Sequence, residues 1–121
     1  MTWEETIQYI RTQNEFKDLI KAAYFEEELA LNVERFVKSE EYLETKKNIS
    51  SFIQIAPSTK LIDIGSGNGI SAVAFAIDGL QVDAVEPDPS DTIGAGAINQ
   101  LKAHYHLANL SVHQGYAEDL K

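Results

Sequence analysis

Residues 60–69 decide the fold, and they read KLIDIGSGNG. Lys60–Ile64 is a short, mostly apolar run that enters three alternating glycines, Gly65, Gly67 and Gly69. An apolar run of this length predicts a strand that is buried on both faces, as in parallel sheets. The glycines predict a tight turn into a helix, where the backbone can approach a ligand closely and offer it free N–H groups.

The sequence that follows this turn alternates helix and strand. Apolar residues at helical spacing come first, and Gly79 is placed to end that helix. Gln81–Val85 predicts a second strand, residues 91–106 a second helix, and Leu110–Gln114 a third strand. Right-handed crossovers would place these strands side by side in the order 3-2-1. The predicted fold class is therefore α/β, with one half of a doubly wound parallel sheet.

The residues before this unit read as helices, so the change of pattern near Pro57 divides the chain into residues 1–56 and 57–121. Thr2 and Glu5 predict a capping box at the first helix, and Asn14 is expected to cap a second. Two further helical stripes meet near Ser39; they consist of Leu29, Val33, Phe36 and Val37, and of Ile49, Phe52, Ile53 and Ala56.

Composition limits the classes of function. The 121 residues are 44% hydrophobic and 24% charged, which is typical of one globular domain. Ten Lys and Arg against nineteen Asp and Glu give a net charge of −9, which disfavours a nucleic-acid partner. The chain has no cysteine and no basic, apolar leader, so we expect no disulfide, no metal, no membrane attachment and a cytoplasmic location.

Two acidic residues indicate which ligand the glycine turn takes. Glu86 ends the second strand, where a carboxylate can accept two hydrogen bonds from a ribose diol. A dinucleotide-binding turn has glycines at its first, third and sixth positions, but the third glycine here is at the fifth position, and Ile70 is sixth. Asp63 precedes the turn and suits an ammonium group better than a pyrophosphate. The spacing thus favours an adenosine-containing ligand other than a dinucleotide.

Three segments resemble class I S-adenosylmethionine-dependent methyltransferases. LIDIGSGNG at residues 61–69 resembles their motif I, VEPD at 85–88 their acidic motif, and VHQGYAEDL at 112–120 the segment after their third strand. The resemblance implies a Rossmann-like half-sheet of order 3-2-1 preceded by an N-terminal helical cap. It also implies S-adenosylmethionine as cofactor and methyl transfer to a small-molecule or protein acceptor.

The resemblance assigns cofactor-binding roles to eight residues: Asp63, Gly65, Ser66, Gly67, Glu86, Pro87, Ala117 and Glu118. The glycine turn would approach the methionine portion, and Asp63 would hold its amino group. Glu86 would bind the ribose hydroxyls. Pro87 would flank the adenine, and the Ala117 N–H would contact it with Glu118 alongside.

One aromatic residue differs from the pattern of the resembled family, and two others are candidates for a lid over the site. Many members of the family have Asp where this chain has Tyr116, so Tyr116 could pack against the adenine instead. In the helical cap, Tyr24 and Tyr42 are candidates for a lid, with ordinary core packing as the alternative. No catalytic residue is assigned.

The sequence ends at Lys121, where the loop to a fourth strand would begin in the resembled family. The first strand would then have an open edge. We expect this edge to be covered by the N-terminal helices, by the rest of a full methyltransferase, or by a second copy in a homodimer. Two other functions remain open: a non-catalytic module that binds S-adenosylmethionine or dimerises, and a fragment of an NAD-dependent oxidoreductase.

Overall fold

The computed structural model describes residues 1–120, and Lys121, the last residue of the predicted second part, lies outside the described residues. The elements are α1 (Trp3–Thr12), a 3₁₀ turn (Asn14–Phe16), α2 (Lys17–Ala22), α3 (Leu29–Val37), α4 (Glu40–Ser50), β1 (Lys60–Ile64), α5 (Ile70–Ile77), β2 (Gln81–Glu86), α6 (Ala95–Tyr105), β3 (Leu110–Gln114) and a second 3₁₀ turn (Ala117–Asp119). None of the helices in residues 1–120 is long and apolar enough to cross a membrane.

The three strands form one parallel sheet in the order β1-β2-β3. Parallel pairing brings the carboxyl ends of all three strands to one edge, where Ile64, Val85 and His113 are in register. The helices α5 and α6 pack against each other and against the sheet. Their apolar residues form the core together with Val82, Ala84 and other residues of the covered sheet face.

Two of the N-terminal helices, α1 and α4, begin at side-chain caps, and the sequence predicts the cap of α1. Thr2 N–H donates to the Glu5 carboxylate at 2.9 Å, and Glu5 N–H donates to the Thr2 hydroxyl at 3.1 Å, which completes the capping box. Ser39 caps α4 by accepting from Tyr42 N–H at 3.1 Å. Among the N-terminal helices, α3 packs on α5 and α6. Its apolar residues therefore join the same core.

The burial of β1 differs from the prediction of a strand covered on both faces. Ile62 and Ile64 are 57% and 63% exposed. The physical reason is that β1 pairs only with β2 in residues 1–120, while α5 and α6 cover the opposite face of the sheet. Among the N-terminal helices, α3 packs on α5 and α6, and Ile62 and Ile64 stay exposed, so of the alternatives for covering the open strand the N-terminal helices are not the one observed.

Three helix boundaries also differ from the prediction. Asn14 caps no helix, because the 3₁₀ turn that contains it runs directly into α2. The fourth helix ends at Ser50 and leaves Phe52 89% exposed, since Ser51 and Phe52 turn back to the carbonyls of residues 48 and 49. The helix predicted from residue 91 begins at Ala95, because the Ser90 hydroxyl holds Ile93 N–H at 3.0 Å in a preceding turn.

Candidate functional site

The glycine turn is fixed to the end of β2. Gly65 and Gly67 have φ angles of +71° and +58°, a region that L side chains rarely adopt. The N–H groups of Gly65 and Ser66 both donate to the Val85 carbonyl, at 2.8 and 3.0 Å. The Ser66 hydroxyl donates to the Asp63 carbonyl at 2.6 Å. The turn is therefore held by hydrogen bonds of the chain itself.

Glu86 is the buried acid of the site, with 8% of its surface exposed. One carboxylate oxygen accepts from Gly67 N–H at 2.8 Å, and the other accepts from Asp88 N–H at 2.8 Å. A carboxylate has about four acceptor positions, so each oxygen keeps one for another donor. Glu86 thus joins the glycine turn to the loop after β2 and can still accept two hydrogen bonds.

Asp63 is the next-to-last residue of β1, just before the turn, and its carboxylate is partly buried. Burial raises the pKa of Asp63, the nearby Ser66 hydroxyl partly offsets this rise, and the negative charge of Glu86 adds to it. Two acids therefore lie near each other at the carboxyl edge of the sheet. A positively charged ligand group beside Asp63 would offset the repulsion between these two carboxylates.

The loop after β3 lies against the same edge. Gly115 N–H donates to the Glu86 carbonyl at 3.1 Å, and Tyr116 N–H donates to the Asp119 carboxylate at 3.2 Å. Ala117 is the first residue of the second 3₁₀ turn. Its N–H is therefore not one of the donors within that turn. The Tyr116 side chain is 59% exposed and is not part of the core.

A cavity of about 280 Å³ lies between the glycine turn and the helical part. The sheet side contributes Asp63, Gly65, Ser66, Gly67, Asn68, Ile70, Ser71 and Ile93, and the helical side contributes Trp3, Ala23, Tyr24, Phe25, Phe36 and Glu41. Four of the eight sequence-predicted site residues therefore line one cavity. Glu86 adjoins it through Gly67, whereas Pro87, Ala117 and Glu118 lie outside it.

Asn68 connects the two sides of this cavity. Its side-chain amide is 7% exposed and donates to the Tyr24 carbonyl at 2.8 Å. Tyr24 has a φ of +60°, which is unusual for a non-glycine residue, and this conformation aims its carbonyl at the glycine turn. Asn68 is not among the site residues predicted from the sequence, because the residues around it do not show which distant carbonyl its side chain binds.

The two tyrosines proposed as lid residues have different environments. Tyr24 lines the cavity, and its role as a lid residue stays a prediction. Tyr42 is 1% exposed and donates from its hydroxyl to Asp78 at 2.5 Å, which makes it a core residue. Burial and the Asp78 carboxylate raise the pKa of Tyr42. Tyr42 is therefore unavailable as a lid.

Other polar groups lie away from the glycine turn. Cavities of about 450 and 560 Å³ adjoin Glu27 and Glu28, and neither contains a residue of the turn. His113 and Asp83 pair at 2.9 Å on the accessible face of the sheet. Within residues 1–120 no three His, Asp or Glu side chains are grouped to hold a metal ion. The smaller cavity is the candidate site because fixed backbone and acidic groups converge there.

Comparisons with known proteins give a fold but no family. No family model and no curated protein matches the chain. A crystal structure of coclaurine N-methyltransferase bound to N-methylheliamine and SAH is similar with a TM-score of 0.51 and 20% identity, over 63% of this chain and 22% of that one.

A second similar structure extends over the helical part as well. The E81Q mutant of MtNAS gives a TM-score of 0.53 at 18% identity, over 93% of this chain and 49% of that one. MtNAS in complex with MTA and tNA gives 0.52 at the same identity. The chain thus has the Rossmann-like α/β fold of these proteins, and it spans about a fifth to a half of their length.

Proposed function

We propose that this chain binds S-adenosylmethionine and forms the cofactor-binding part of a methyltransferase. The observation that carries the proposal is the position of the Glu86 carboxylate. It is held at 2.8 Å by the N–H of Gly67, within the glycine turn, and it keeps two acceptor positions for a ribose diol. A buried carboxylate next to a preorganised turn is a suitable partner for a sugar with two neighbouring hydroxyls.

The other residues of the site suit the remaining parts of the cofactor. In this proposal Gly65, Ser66 and Gly67 approach the methionine portion, and Asp63 binds its ammonium group. The loop residues Pro87, Ala117 and Glu118 contact the adenine, with the Ala117 N–H as donor to the ring. When bound, S-adenosylmethionine supplies a methyl group on a positively charged sulfur. The protein residues hold that donor in place and shield it from water with the helical part.

The structural comparisons support this ligand by analogy. Coclaurine N-methyltransferase is described with bound SAH, and MtNAS is described in separate structures with MTA and with S-adenosylmethionine. All three compounds share the adenosine group that the Glu86 site would hold. We propose a small molecule or a protein as methyl acceptor, because a net charge of −9 disfavours a nucleic acid.

A non-catalytic binding module is the second candidate function. The observation that favours it is the chemistry of the site, because a glycine turn held by hydrogen bonds and the carboxylates of Asp63 and Glu86 are groups that bind and orient a ligand. Cofactor binding without turnover on any candidate acceptor would support this alternative, and turnover by this chain would exclude it.

Calorimetry tests the proposed ligand. We expect S-adenosylmethionine and S-adenosylhomocysteine to bind and NAD to show no heat of binding. Glu86→Ala removes the charged acceptor of the ribose and should weaken binding by about 1.5–3 kcal/mol, roughly 10- to 150-fold. Asp83→Ala is the matched control, because Asp83 is on the same strand and its carboxylate pairs with His113 outside the site.

Two measurements separate ligand loss from misfolding. Glu86→Ala also leaves Gly67 N–H and Asp88 N–H without their partner, so thermal unfolding of the variant is measured alongside binding. Glu86→Gln keeps an acceptor for one of these N–H groups and provides a second variant with a milder structural effect. Unchanged affinity in both folded variants, or tight binding of NAD alone, would contradict the proposal.

A further inference from the structure

The wall of the cavity opposite the glycine turn is aromatic. Trp3 and Phe25 both line it, and their rings meet edge to face with centroids 6.1 Å apart. Tyr24 also lines the cavity, but the Arg35 guanidinium lies 5.3 Å from the centroid of its ring. Trp3, Phe25 and Phe36 have no such cation over their rings in residues 1–120. Phe36 is buried in the core at 5% exposed, so Trp3 and Phe25 are the two more accessible of these rings.

Hydrogen bonds anchor the two segments that carry these rings. Next to Trp3, the Glu4 carboxylate accepts from the Thr92 hydroxyl at 2.9 Å, and Thr92 precedes Ile93 of the cavity wall. The Phe25 carbonyl accepts from Arg11 Nε at 2.8 Å. Both anchors connect elements that are distant in sequence. The segments that carry Trp3 and Phe25 are thus tied to the rest of the fold, and the two rings contact each other at the cavity.

The charged residues that line the cavity are of one sign, although Arg35 lies behind the ring of Tyr24. The carboxylates of Asp63 and Glu41 belong to its lining, and in the part of the chain that the structure describes no Lys or Arg belongs to it. Aromatic rings attract cations through the negative potential of their faces, and carboxylates attract them directly. Together these groups favour a ligand with a positive centre over a neutral ligand of the same shape.

We propose that Trp3 and Phe25 select the charged methyl donor over its neutral product. This inference rests on the proposed function, in which S-adenosylmethionine occupies the cavity, and it adds a specificity role for the helical part. The donor and S-adenosylhomocysteine share adenosine, ammonium and carboxylate groups, and they differ in the sulfonium charge and its methyl group. A ring wall that stabilises the sulfonium would hold the donor and release the product.

Binding of the two ligands to matched variants tests this role. Trp3→Leu keeps apolar surface for the methyl group but removes the ring. The control is Tyr9→Leu, because Tyr9 is on the same helix, is 56% exposed against 55% for Trp3, and lies outside the cavity lining. Phe25→Leu is the second variant, and circular dichroism establishes that each variant is folded.

We expect the unmodified chain to bind the donor at least roughly threefold more tightly than the product. Trp3→Leu should weaken donor binding roughly 3- to 10-fold and leave product binding within about twofold, whereas Tyr9→Leu should change neither. Equal affinity of the unmodified chain for both ligands, or equal weakening of both by Trp3→Leu, would overturn the selectivity while the proposed function stands. If neither ligand binds the unmodified chain, both proposals fail.

Discussion

Asp63 is a carboxylate whose surroundings disfavour its charge. Burial and Glu86 both raise the pKa of Asp63, so the folded chain holds the proton of this group more tightly than the unfolded chain does. The ionisation of Asp63 therefore lowers the stability of the free protein as the pH rises through its raised pKa. An ammonium group bound beside Asp63 would reverse this effect by favouring the ionised form.

The affinity for S-adenosylmethionine should consequently depend on pH through Asp63. We expect binding to weaken as the pH falls through the pKa of Asp63, which lies above the usual value of about 4, because a protonated carboxyl loses its attraction for the ammonium. Calorimetry over the acidic range would measure this loss. Asp63→Asn should bind more weakly than the unmodified chain at neutral pH and show a flatter profile.

Methylthioadenosine is the matched ligand for this measurement, because it has the adenosine group but no ammonium. Its pH profile contains the contribution of the adenosine contacts alone, and subtracting it from the donor's profile isolates the contribution of the amino-acid portion that Asp63 would hold. Identical profiles for the two ligands would show that Asp63 does not hold the amino group.

At the residue scale, the sequence predicts the sheet side of the site better than the helical side. Asp63 and Glu86 follow from their positions at strand ends, because parallel strands bring their carboxyl ends to one edge. Trp3 and Phe25 are far from the glycine turn in sequence, and only tertiary packing brings them to the cavity. Their apolar character is visible in the sequence, but it is equally consistent with ordinary core packing.

The contact between α5 and α6 depends on the third glycine of the turn. Gly69 has a φ of +84°, and a Cβ built there would lie 2.7 Å from Cγ1 of Ile98 on α6. A side chain at this position would therefore meet both backbone strain and a steric clash. Gly69 allows the start of α5 to approach α6 closely, which is a packing function separate from that of Gly65 and Gly67.

Gly69→Ala should destabilise the fold more than a glycine replacement that introduces strain alone. We expect about 1–2 kcal/mol from the left-handed backbone and about 1–3 kcal/mol more from overpacking against Ile98. Gly79→Ala is the control, since Gly79 has a φ of +97° but no heavy atom within 4 Å of its Cβ position. Urea denaturation of both variants measures the difference, and an equal loss would show that α6 moves aside without cost.

The bounds of helices and strands are predicted well where nearby residues in the sequence end the element. They are predicted less well where contacts with distant parts of the chain determine the end. The bounds of β1 and β3 agree with the prediction, because apolar runs stop at glycines or polar loops. The end of α4 is not predicted, since the apolar residues Phe52 and Ile53 continue a helical spacing that the chain does not use. The burial of β1 depends on which elements pack against its two faces. The spacing of apolar residues within the strand carries no information about those neighbours.

At the scale of the whole molecule, the sheet has one covered and one accessible face. The covered face packs against α5 and α6, whereas Ile62 and Ile64 stay exposed on the other. The outer edge of β1 also has no strand partner in residues 1–120. An unpaired edge with exposed apolar side chains is a template for pairing with another chain. We therefore propose that a second copy covers β1 when this chain is alone in solution.

Sedimentation at increasing concentration tests this association. Burying one isoleucine stabilises a contact by about 1.5–3 kcal/mol, so Ile62→Lys should raise the dissociation constant of the dimer roughly tenfold or more. Ile77→Lys is the control, because Ile77 is 42% exposed on α5, away from β1. A charge that acts only by raising solubility would affect both variants alike, and a clean monomer of the unmodified chain at high concentration would contradict pairing altogether. Only a selective effect at Ile62 fits pairing through β1, since lysine on an edge strand opposes such contacts.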